Sequence, residues 1–430
     1  MSDSQQNEKQ SRYSRRDFVK SSTAAAFGAA AVSAFPSFVH AAEDNTLKVG
    51  LIGCGGRGSG AAVNALHADK NVKLVAMADM FKDKLEDSLQ NLQHSDVGDR
   101  VDVKPEYQFV GFDAYKGVIE VCDVVLLATP PHFRPMHLQA AVEAGKHIFC
   151  EKPVATDAPG LRSVMETCKQ AKEKNLSLVS GLCYRYQPQK IETIKRLRDG
   201  AVGQYTAMQC NYLTTGLRTA PRKPEYNDME WQLRNWLYFY WLAGDLIMEQ
   251  HIHSLDKIMW AMGDEMPVKV TASGGRACRT APVYGNVYDH FNTIYEWASG
   301  LKMFSAARQW DGCATDTSDW IFGTEGNANI QMHVITGKNA WKDHDTSNKM
   351  YDLEHVALFN SIRTNSPINN GDYMCKSTGV AMMGRMAAYT GQTITWEQAL
   401  NSKEDLSPAK YEFGDLPIAP LAVPGKTKFV

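Results

Sequence analysis

The chain has 430 residues, of which 44% are hydrophobic and 22% charged, and its 46 basic and 48 acidic side chains give a net charge of -2. This composition is typical of a globular protein of two or three domains and excludes a disordered chain, a collagen-like fibre and a coiled coil. The balanced charge gives no basic footprint for a nucleic acid. Nine cysteines in so long a chain do not predict a disulfide framework. Because every apolar stretch is interrupted, we expect no membrane span in the mature chain.

The first 41 residues predict an export signal. Residues 14–20 read SRRDFVK, an Ala-rich run covers residues 23–39, and residues 39–41 form a small-residue cleavage pattern. Paired arginines in this order resemble the twin-arginine signal of bacteria. We therefore expect a periplasmic or otherwise exported protein that leaves the cytoplasm already folded.

A dinucleotide-binding signature follows. Residues 46–52 predict a buried strand, and residues 53–58 read GCGGRG before a predicted helix. Glycines at this spacing let the backbone approach a pyrophosphate, and the helix N-terminus favours its charge. The second predicted strand ends at Asp79, 21 residues past Gly58, where an acid accepts hydrogen bonds from ribose hydroxyls. Because a carboxylate repels a 2′-phosphate and the nearest following cation is Lys82, NAD is favoured and NADP stays open.

The alternation of strands and helices continues along the chain. Strands predicted at residues 121–129, 147–150 and 176–182 alternate with helices at 135–145 and 157–175. This order predicts a parallel, doubly wound sheet, in which ligands lie at the carboxyl ends of the strands. The candidate cofactor residues are Gly53, Gly55, Gly56, Arg57, Gly58, Asp79, Thr129, Pro130, His132, Glu151 and Lys152.

Strands dominate the second half of the chain. They are predicted at residues 203–212, 268–273, 291–297, 302–308 and 320–322, without regular helices between them. We therefore expect an α/β domain followed by an α+β domain with an open, mostly antiparallel sheet. Helices are predicted at residues 353–364 and 377–390, the second packing back on the first domain. The predicted division is a signal peptide (1–41), a Rossmann domain (46–185), a substrate-binding and oligomerisation domain (186–409) and a Pro-rich C-terminal tail (410–430).

Several motifs carry a resemblance to a known family. They read GLIGCGGRG, ATPPH, GKHIFCEKP, AGDLIMEQHIHSLD, YDHFNTIYEW, SIRTNSPIN and AAYTGQTITW. From about residue 47 to residue 399 the chain resembles the glucose–fructose oxidoreductase, inositol dehydrogenase and rhizopine-catabolism (Gfo/Idh/MocA) family. The resemblance implies an oxidoreductase that uses NAD on a sugar, cyclitol or glycoside hydroxyl. It also implies that Lys152 faces the nicotinamide and the substrate, that the Lys152–Pro153 peptide is cis, and that the outer face of the second sheet forms dimers or tetramers.

The family's second motif, Asp-x-Gly-x-His-x-x-Asp, reads EQHIHSLD at residues 249–256. Glu249 and His253 are four residues apart and can share a helix face. His253 is the natural acid–base, because the unperturbed pKa of imidazole lies near neutrality. Lys152 would hold the developing alkoxide or relay its proton, and Glu249 would bind a vicinal hydroxyl or orient His253. The sequence departs from the motif by Glu for Asp and by His251 for Gly, which adds an imidazole beside the substrate pocket.

The remaining predictions concern substrate and alternatives. The candidate substrate residues are Tyr184, Arg185, Tyr186, Trp236 and His251. Export leaves no pool of free NAD, so we expect bound NAD to be recycled, either by hydride exchange between sugars or by a redox-neutral glycosidase cycle of oxidation, elimination, hydration and re-reduction. A metal-dependent hydrolase is supported only by the Glu-x-His-x-His cluster, and we predict no metal. A non-catalytic sugar or dinucleotide sensor is disfavoured because Lys152 and His253 are both present.

Overall fold

A computed structural model of the protein describes residues 45–430. The predicted export signal, residues 1–41, lies outside the described residues. Within the described part of the chain, no helix is both long enough and apolar enough to span a bilayer.

The first half of the described chain is built on a six-stranded parallel sheet. Its strands are β1 (Leu47–Ile52), β2 (Val72–Asp79), β3 (Gln108–Val110), β4 (Val124–Leu127), β5 (His147–Cys150) and β6 (Leu178–Ser180). They lie in the order β3-β2-β1-β4-β5-β6 and all pair in parallel. This is the strand order of the Rossmann fold, with the reversal between β1 and β4 that marks the ligand crevice.

Five helices cover this sheet. They are α1 (Gly56–Ala68), α2 (Lys82–Gln93), α3 (Ala114–Val121), α4 (Arg134–Glu143) and α5 (Ala158–Glu173). The prediction of a strand at 121–129 began too early, because Val121 still belongs to α3 and the strand starts at Val124. The apolar residues that end α3 pack on β1. A Cβ on Gly50 would lie 2.3 Å from Cγ1 of Val118, so α3 approaches the sheet too closely for any larger residue there.

The second half contains a nine-stranded sheet. Its strands are β7 (Tyr205–Thr214), β8 (Lys269–Gly275), β9 (His290–Glu296), β10 (Lys302–Gln309), β11 (Asp316–Gly323), β12 (Gly326–Asn329), β13 (Val334–Gly337), β14 (Trp341–Lys342) and β15 (Ile394–Thr395). The order is β14-β13-β12-β11-β7-β10-β9-β8-β15, antiparallel except for the parallel pair β7 and β10. The predicted mostly antiparallel sheet is thus confirmed. The strands from β12 to β14 were missed because they are short, with two to four residues each.

Helices of the second half pack against one face of the nine-stranded sheet and against the first domain. They are α6 (Pro188–Arg198), α7 (Asp228–Arg234), α8 (Tyr240–Ala243), α9 (Leu246–Glu249), α10 (Ile252–Ala261), α11 (Met350–Arg363), α12 (Gly371–Thr390) and α13 (Trp396–Asn401). The helix α12 is buried along most of its length and contacts both α5 and β8. It therefore joins the two sheets. A Cβ on Gly384 would lie 2.3 Å from the hydroxyl of Tyr295, so this glycine permits the close approach.

Candidate functional site

A cavity of about 350 Å³ lies at the carboxyl ends of β1, β2 and β4. It sits at the crevice where the strand order of a Rossmann sheet reverses. Its walls combine the glycine-rich turn, the end of β2 and side chains of a segment from the second half. Among its lining residues are Gly53, Gly55, Gly56, Arg57, Gly58, Asp79, Phe81, Thr129, Pro130, Phe133, His137, Arg218, Leu233, Arg234 and Trp236.

The glycine-rich turn fits a pyrophosphate. A Cβ on Gly58 would lie 1.8 Å from the carbonyl oxygen of Gly53, so α1 can begin against β1 only with glycine at this position. Gly55 and Gly56 have open space where a Cβ would stand, on the wall of the cavity. No side chain caps the N-terminus of α1, and its first turn carries no acidic residue. Its first backbone N–H groups are therefore available to an anion.

Asp79 ends β2 at the cavity. Its Oδ2 accepts a hydrogen bond from the backbone N–H of Cys54 (2.7 Å), and its Oδ1 accepts one from Phe81 (2.9 Å). Burial raises the pKa of this carboxyl, and the two backbone hydrogen bonds oppose that shift. Each oxygen keeps a further lone pair for a ribose hydroxyl. Arg234 in the same cavity is paired with Asp83 (3.0 Å), and Lys84 and Arg218 also line the cavity.

An ion pair connects the glycine-rich turn to the end of β5. Arg57 Nε lies 3.1 Å from Oε1 of buried Glu151, and its guanidinium stacks 4.6 Å from the ring centre of Tyr351. Behind this pair lies Glu354 of α11, which is fully buried with neither carboxylate oxygen hydrogen-bonded. Burial and repulsion by Glu151 raise the pKa of Glu354 well above its usual range. Glu354 was not predicted, because no local pattern distinguishes it from an ordinary helical glutamate.

The three predicted acid–base residues meet at the end of β5. The Nζ of Lys152 donates to the carbonyl oxygen of Glu249 and lies 3.2 Å from Oε1 of the same residue. The Lys152–Pro153 peptide is cis, as the resemblance implied. Glu249 ends α9 and His253 lies in the first turn of α10, close enough for the charge of Lys152 to act on the imidazole. The ring of Tyr184 meets His253 edge to face at 5.2 Å.

His253 is held in its neutral form. Burial, assisted by the positive charges of Lys152 and Lys257, lowers the pKa of His253 well below its ordinary 6.5. Its Nδ1 has no hydrogen-bond partner among residues 45–430. A neutral imidazole beside a lysine can accept a proton from a hydroxyl group at neutral pH.

Only part of the ATPPH turn (residues 128–132) lines the cofactor cavity as predicted. Thr129 and Pro130 line the cavity. His132 is buried, its Nε2 lies 2.8 Å from the hydroxyl of Tyr411 in the C-terminal tail, and it does not line this cavity. His137, one turn into α4, lines the cavity instead. His132 was predicted as a cofactor residue because it lies close after the end of β4. In the structure its side chain points to the C-terminal tail.

The five predicted substrate residues divide into two sets. Tyr184 stands beside His253, and Trp236 lines the cavity. Arg185 is buried between two carboxylates. Its guanidinium lies 2.8 Å from Asp256 and donates a hydrogen bond to Asp264 (3.1 Å). The hydroxyl of Tyr186 donates to Asn370, and His251 is fully buried with Nε2 2.5 Å from the hydroxyl of Ser305. The structure therefore places these last three side chains in internal packing, away from Lys152.

The Glu-x-His-x-His cluster does not converge on one point. Glu249 faces Lys152, His251 faces Ser305, and His253 faces Tyr184. Within residues 45–430, no three His, Cys, Asp or Glu side chains are grouped as a metal site requires.

A cover of the cavity was not predicted. It consists of two segments. Residues 226–241, which contain α7, are called the cover segment, and residues 405–416 are called the tail segment. Arg234 of the cover segment stacks 3.8 Å above the ring centre of Phe81, beside Asp79. The backbone N–H of Met229 donates to the carbonyl oxygen of Gly414, and the Gln232 side chain donates to that of Leu416. No local pattern predicts this contact, because the two segments are far apart in the chain.

Comparison with known proteins agrees with this geometry. Residues 47–179 match the model of a family described as an oxidoreductase family with an NAD-binding Rossmann fold. The chain is 25% identical over 220 residues to 2,7-anhydro-N-acetylneuraminate hydratase of Escherichia coli, covering 51% of this chain and 54% of that protein. It is 26% identical over 257 residues to inositol 2-dehydrogenase of Rhizobium meliloti, covering 60% and 67%. The chain thus spans about half to two thirds of the length of these relatives.

A solved structure shows the same fold. The aldose-aldose oxidoreductase of Caulobacter crescentus superposes with a TM-score of 0.62 at 21% identity, covering 82% of this chain and 100% of that one. The shared arrangement is a six-stranded Rossmann sheet with a cavity at its topological switch point, followed by a mostly antiparallel sheet. Residues 47–179 match the Gfo/Idh/MocA oxidoreductase family, and the rest of the chain shares the fold of that solved structure.

Proposed function

We propose that this protein oxidises a hydroxyl group of a sugar, cyclitol or glycoside and keeps its NAD bound through many turnovers. The observation that carries the proposal is the contact of Lys152 with Glu249, next to a neutral His253 and at the sheet edge that forms the cofactor cavity. The relatives named as a neuraminate hydratase and an inositol dehydrogenase support a polyhydroxylated substrate.

The roles of the protein side chains follow from their positions. When bound, NAD supplies the hydride acceptor for the carbon that bears the reacting hydroxyl. His253, being neutral, takes the hydroxyl proton as the hydride leaves, so that the carbinol becomes a ketone. The ammonium group of Lys152 stabilises the oxygen as it becomes negative. Glu249 holds Lys152 in place and can accept a hydrogen bond from a neighbouring hydroxyl.

Retention of NAD is supported by the cover. The ion pair of Arg234 with Asp83 and its stacking on Phe81 close the cavity from the second half of the chain. The ring of Phe413 in the tail segment lies 6.2 Å from that of Phe81 and 5.7 Å from that of Phe112. These contacts border the cavity, and we expect them to slow the release of NAD.

Arg234→Ala is expected to release NAD about tenfold faster than the unaltered protein. A partly exposed ion pair and a cation–π contact together contribute on the order of 1–2 kcal/mol, and about 1.4 kcal/mol corresponds to a factor of ten. The measurement is the rate at which NAD appears in the filtrate after dilution of protein purified without added cofactor. Arg222→Ala is the matched control, because Arg222 pairs with Asp228 and stacks on Trp231 without reaching Phe81. Equal release rates for the two variants would show that the cover is no barrier.

Two outcomes are consistent with recycled NAD. Hydride exchange oxidises one sugar and reduces a second one. In redox-neutral glycoside cleavage, the ketone acidifies the neighbouring C–H, the aglycone is eliminated, water adds and the ketone is reduced again. We favour hydride transfer as the primary activity, because the side chains described here account for it directly. The hydratase among the relatives favours water addition as the second candidate.

Export and assembly are part of the same proposal. The twin-arginine pattern supports export of the folded, NAD-loaded protein to the periplasm or outside. The outer face of the nine-stranded sheet exposes Ile294 and Phe304, which lie directly opposite each other on β9 and β10. Paired exposed apolar side chains on a sheet face support a homodimer or homotetramer formed through this face.

A further inference from the structure

A tyrosine without a hydrogen-bond partner lies close to the acid–base residues. Tyr212 stands near the end of β7 and is half-buried. Among residues 45–430, no protein group hydrogen-bonds to its hydroxyl. By contrast, the hydroxyl of Tyr295 on β9 donates to the carbonyl oxygen of Val380 (3.0 Å). A phenol that is partly removed from water normally finds such a partner, so the free hydroxyl of Tyr212 needs an explanation.

The alternation of side chains along β7 directs Tyr212 toward the helices that carry Glu249 and His253. Residues two apart on a strand share a face of the sheet. Cys210, two residues earlier, has its sulfur 3.9 Å from Nε2 of His251, which lies between those two residues in the chain. The ring of Tyr212 lies 6.2 Å from the ring of His251. Tyr212 is therefore on the inner face of the nine-stranded sheet, where the acid–base residues lie.

The hydroxyl of Tyr212 is within electrostatic reach of the acid–base set. Burial, together with smaller contributions from Tyr184 and Glu249, raises the pKa of this hydroxyl to about 12. Both of these neighbours belong to the site. The ring of Tyr184 meets His253 edge to face, and the carboxylate of Glu249 contacts Lys152. The phenol therefore keeps its proton at neutral pH and can donate a hydrogen bond.

The carboxylate of Glu249 offers the complementary acceptor. Its Oε1 lies 3.2 Å from Nζ of Lys152, whereas its Oε2 makes no hydrogen bond within the part of the chain that the structure describes. Because Lys152 is assigned to the hydroxyl that is oxidised, Glu249 beside it faces the adjoining part of the substrate. A hydroxyl group both donates and accepts a hydrogen bond, so a phenol and a carboxylate oxygen together suit a polyol. A CH₂ group at that place would leave both without a partner.

The imidazole of His251 supports the ring of Tyr212 from the core. It is fully buried, and its Nε2 lies 2.5 Å from the hydroxyl of Ser305 on β10. A side chain packed in this way limits the positions that the neighbouring ring can take. The geometry thus places Tyr212, and not His251, where a substrate can be contacted.

We propose that Tyr212 is a substrate-binding residue, whose hydroxyl donates a hydrogen bond to a hydroxyl group of the substrate on a carbon next to the one that is oxidised. This inference rests on the proposed function, because the oxidised hydroxyl must lie at Lys152 and His253. It narrows the substrate class to polyols with a free hydroxyl beside the reacting carbon. Sugars that are deoxygenated at that carbon are then poor ligands.

The test is a double-mutant cycle between the phenol and the hydroxyl groups of the probe. Tyr212→Phe removes the hydroxyl and keeps the ring. The probes are methyl glucoside and myo-inositol, each with its monodeoxy analogues. Binding to the NAD-loaded protein is measured by isothermal titration calorimetry, and hydride transfer by the absorbance of reduced cofactor. We expect Tyr212→Phe to weaken the binding of at least one parent probe by about three- to tenfold, the effect of one lost hydrogen bond. The analogue that lacks the contacted hydroxyl should bind equally to both proteins.

A matched control separates recognition from folding. Tyr205 lies at the other end of β7, is likewise half-buried, and its hydroxyl also makes no hydrogen bond to residues 45–430. Tyr205→Phe is therefore expected to leave the binding of every probe unchanged. Tyr212→Phe is expected to keep the melting temperature of the unaltered protein, because the hydroxyl that it removes has no partner in the described chain.

Three results would overturn the inference: unchanged binding of the parent probes to Tyr212→Phe, the same loss for the parent and all its deoxy analogues, or a lower melting temperature of this variant. Reduction of bound NAD by a parent probe in those cases would leave the proposed function standing. Discrimination at one hydroxyl that depends on Tyr212, without reduction of NAD by any probe, would overturn the proposed function and retain the Tyr212 site. Absence of both binding and reduction with every probe would contradict both.

Discussion

His253→Ala is expected to slow hydride transfer by about 10²–10⁴-fold while NAD stays bound, because a positioned base contributes rate enhancement of that size. Lys152→Ala is expected to have an effect of similar size, since the developing negative oxygen then loses the ammonium group that is paired with Glu249. The measurement is the single-turnover appearance of reduced cofactor after mixing with a sugar that the unaltered protein oxidises. NAD content is determined on the same samples.

Matched controls use residues of the same type outside the site. His94 hydrogen-bonds to a carbonyl of its own helix, and Lys169 pairs with Glu166 on the surface. His94→Ala and Lys169→Ala should leave the rate unchanged. Near-normal turnover in His253→Ala or Lys152→Ala would remove that residue from the mechanism.

The pH dependence of the unaltered protein gives an independent check on His253. Only the neutral imidazole can accept the proton, and burial together with two nearby lysines lowers the pKa of this group well below 6.5. As the pH falls toward 6.5, His253 therefore stays neutral and the rate is kept. The rate should decline only at lower pH. A decline centred at or above the ordinary imidazole value would contradict the assigned base.

Asp79→Ala is expected to weaken NAD binding by about 10²–10⁴-fold. Two hydrogen bonds from ribose hydroxyls to a charged acceptor contribute about 1.5–3 kcal/mol each, and about 1.4 kcal/mol corresponds to a factor of ten. The measurement is NAD occupancy after purification, followed by titration with NAD.

The control for Asp79 addresses its second role in holding the backbone. Asp123 also accepts a backbone N–H, that of Lys48 (2.8 Å), but at the opposite end of β1. Asp123→Ala should therefore disturb folding to a similar degree without loss of NAD. If Asp79→Ala kept its full NAD content, the ribose assignment would be wrong.

Features with a local cause were predictable from the sequence. The turn between β1 and α1 depends on glycines within six residues, and Asp79 lies at the end of the next strand, so chain order alone places both at the cofactor cavity. Lys152 lies two residues past the end of β5, so its place at this edge is predictable for the same reason. Parallel strands bring their carboxyl ends to one edge of the sheet, which makes such positions readable in advance.

Features that depend on distant partners were not predictable. Arg185 follows β6 much as Lys152 follows β5. Its guanidinium is paired with Asp256 and Asp264, which lie 71 and 79 residues later in the chain. His251 turns to Ser305 on another strand.

The proposed recycling of bound NAD during turnover of a sugar is tested by following product formation without added cofactor. Protein purified without NAD supplements is incubated in heavy water with acidic and neutral sugars and glycosides, with and without external NAD. We expect sustained turnover in the absence of external NAD. Dependence on a second sugar or ketone would identify hydride exchange, and deuterium beside the oxidised carbon would identify the eliminating cycle. If product formation stopped at a single equivalent per protein molecule unless NAD were supplied, the recycling of bound NAD would be contradicted.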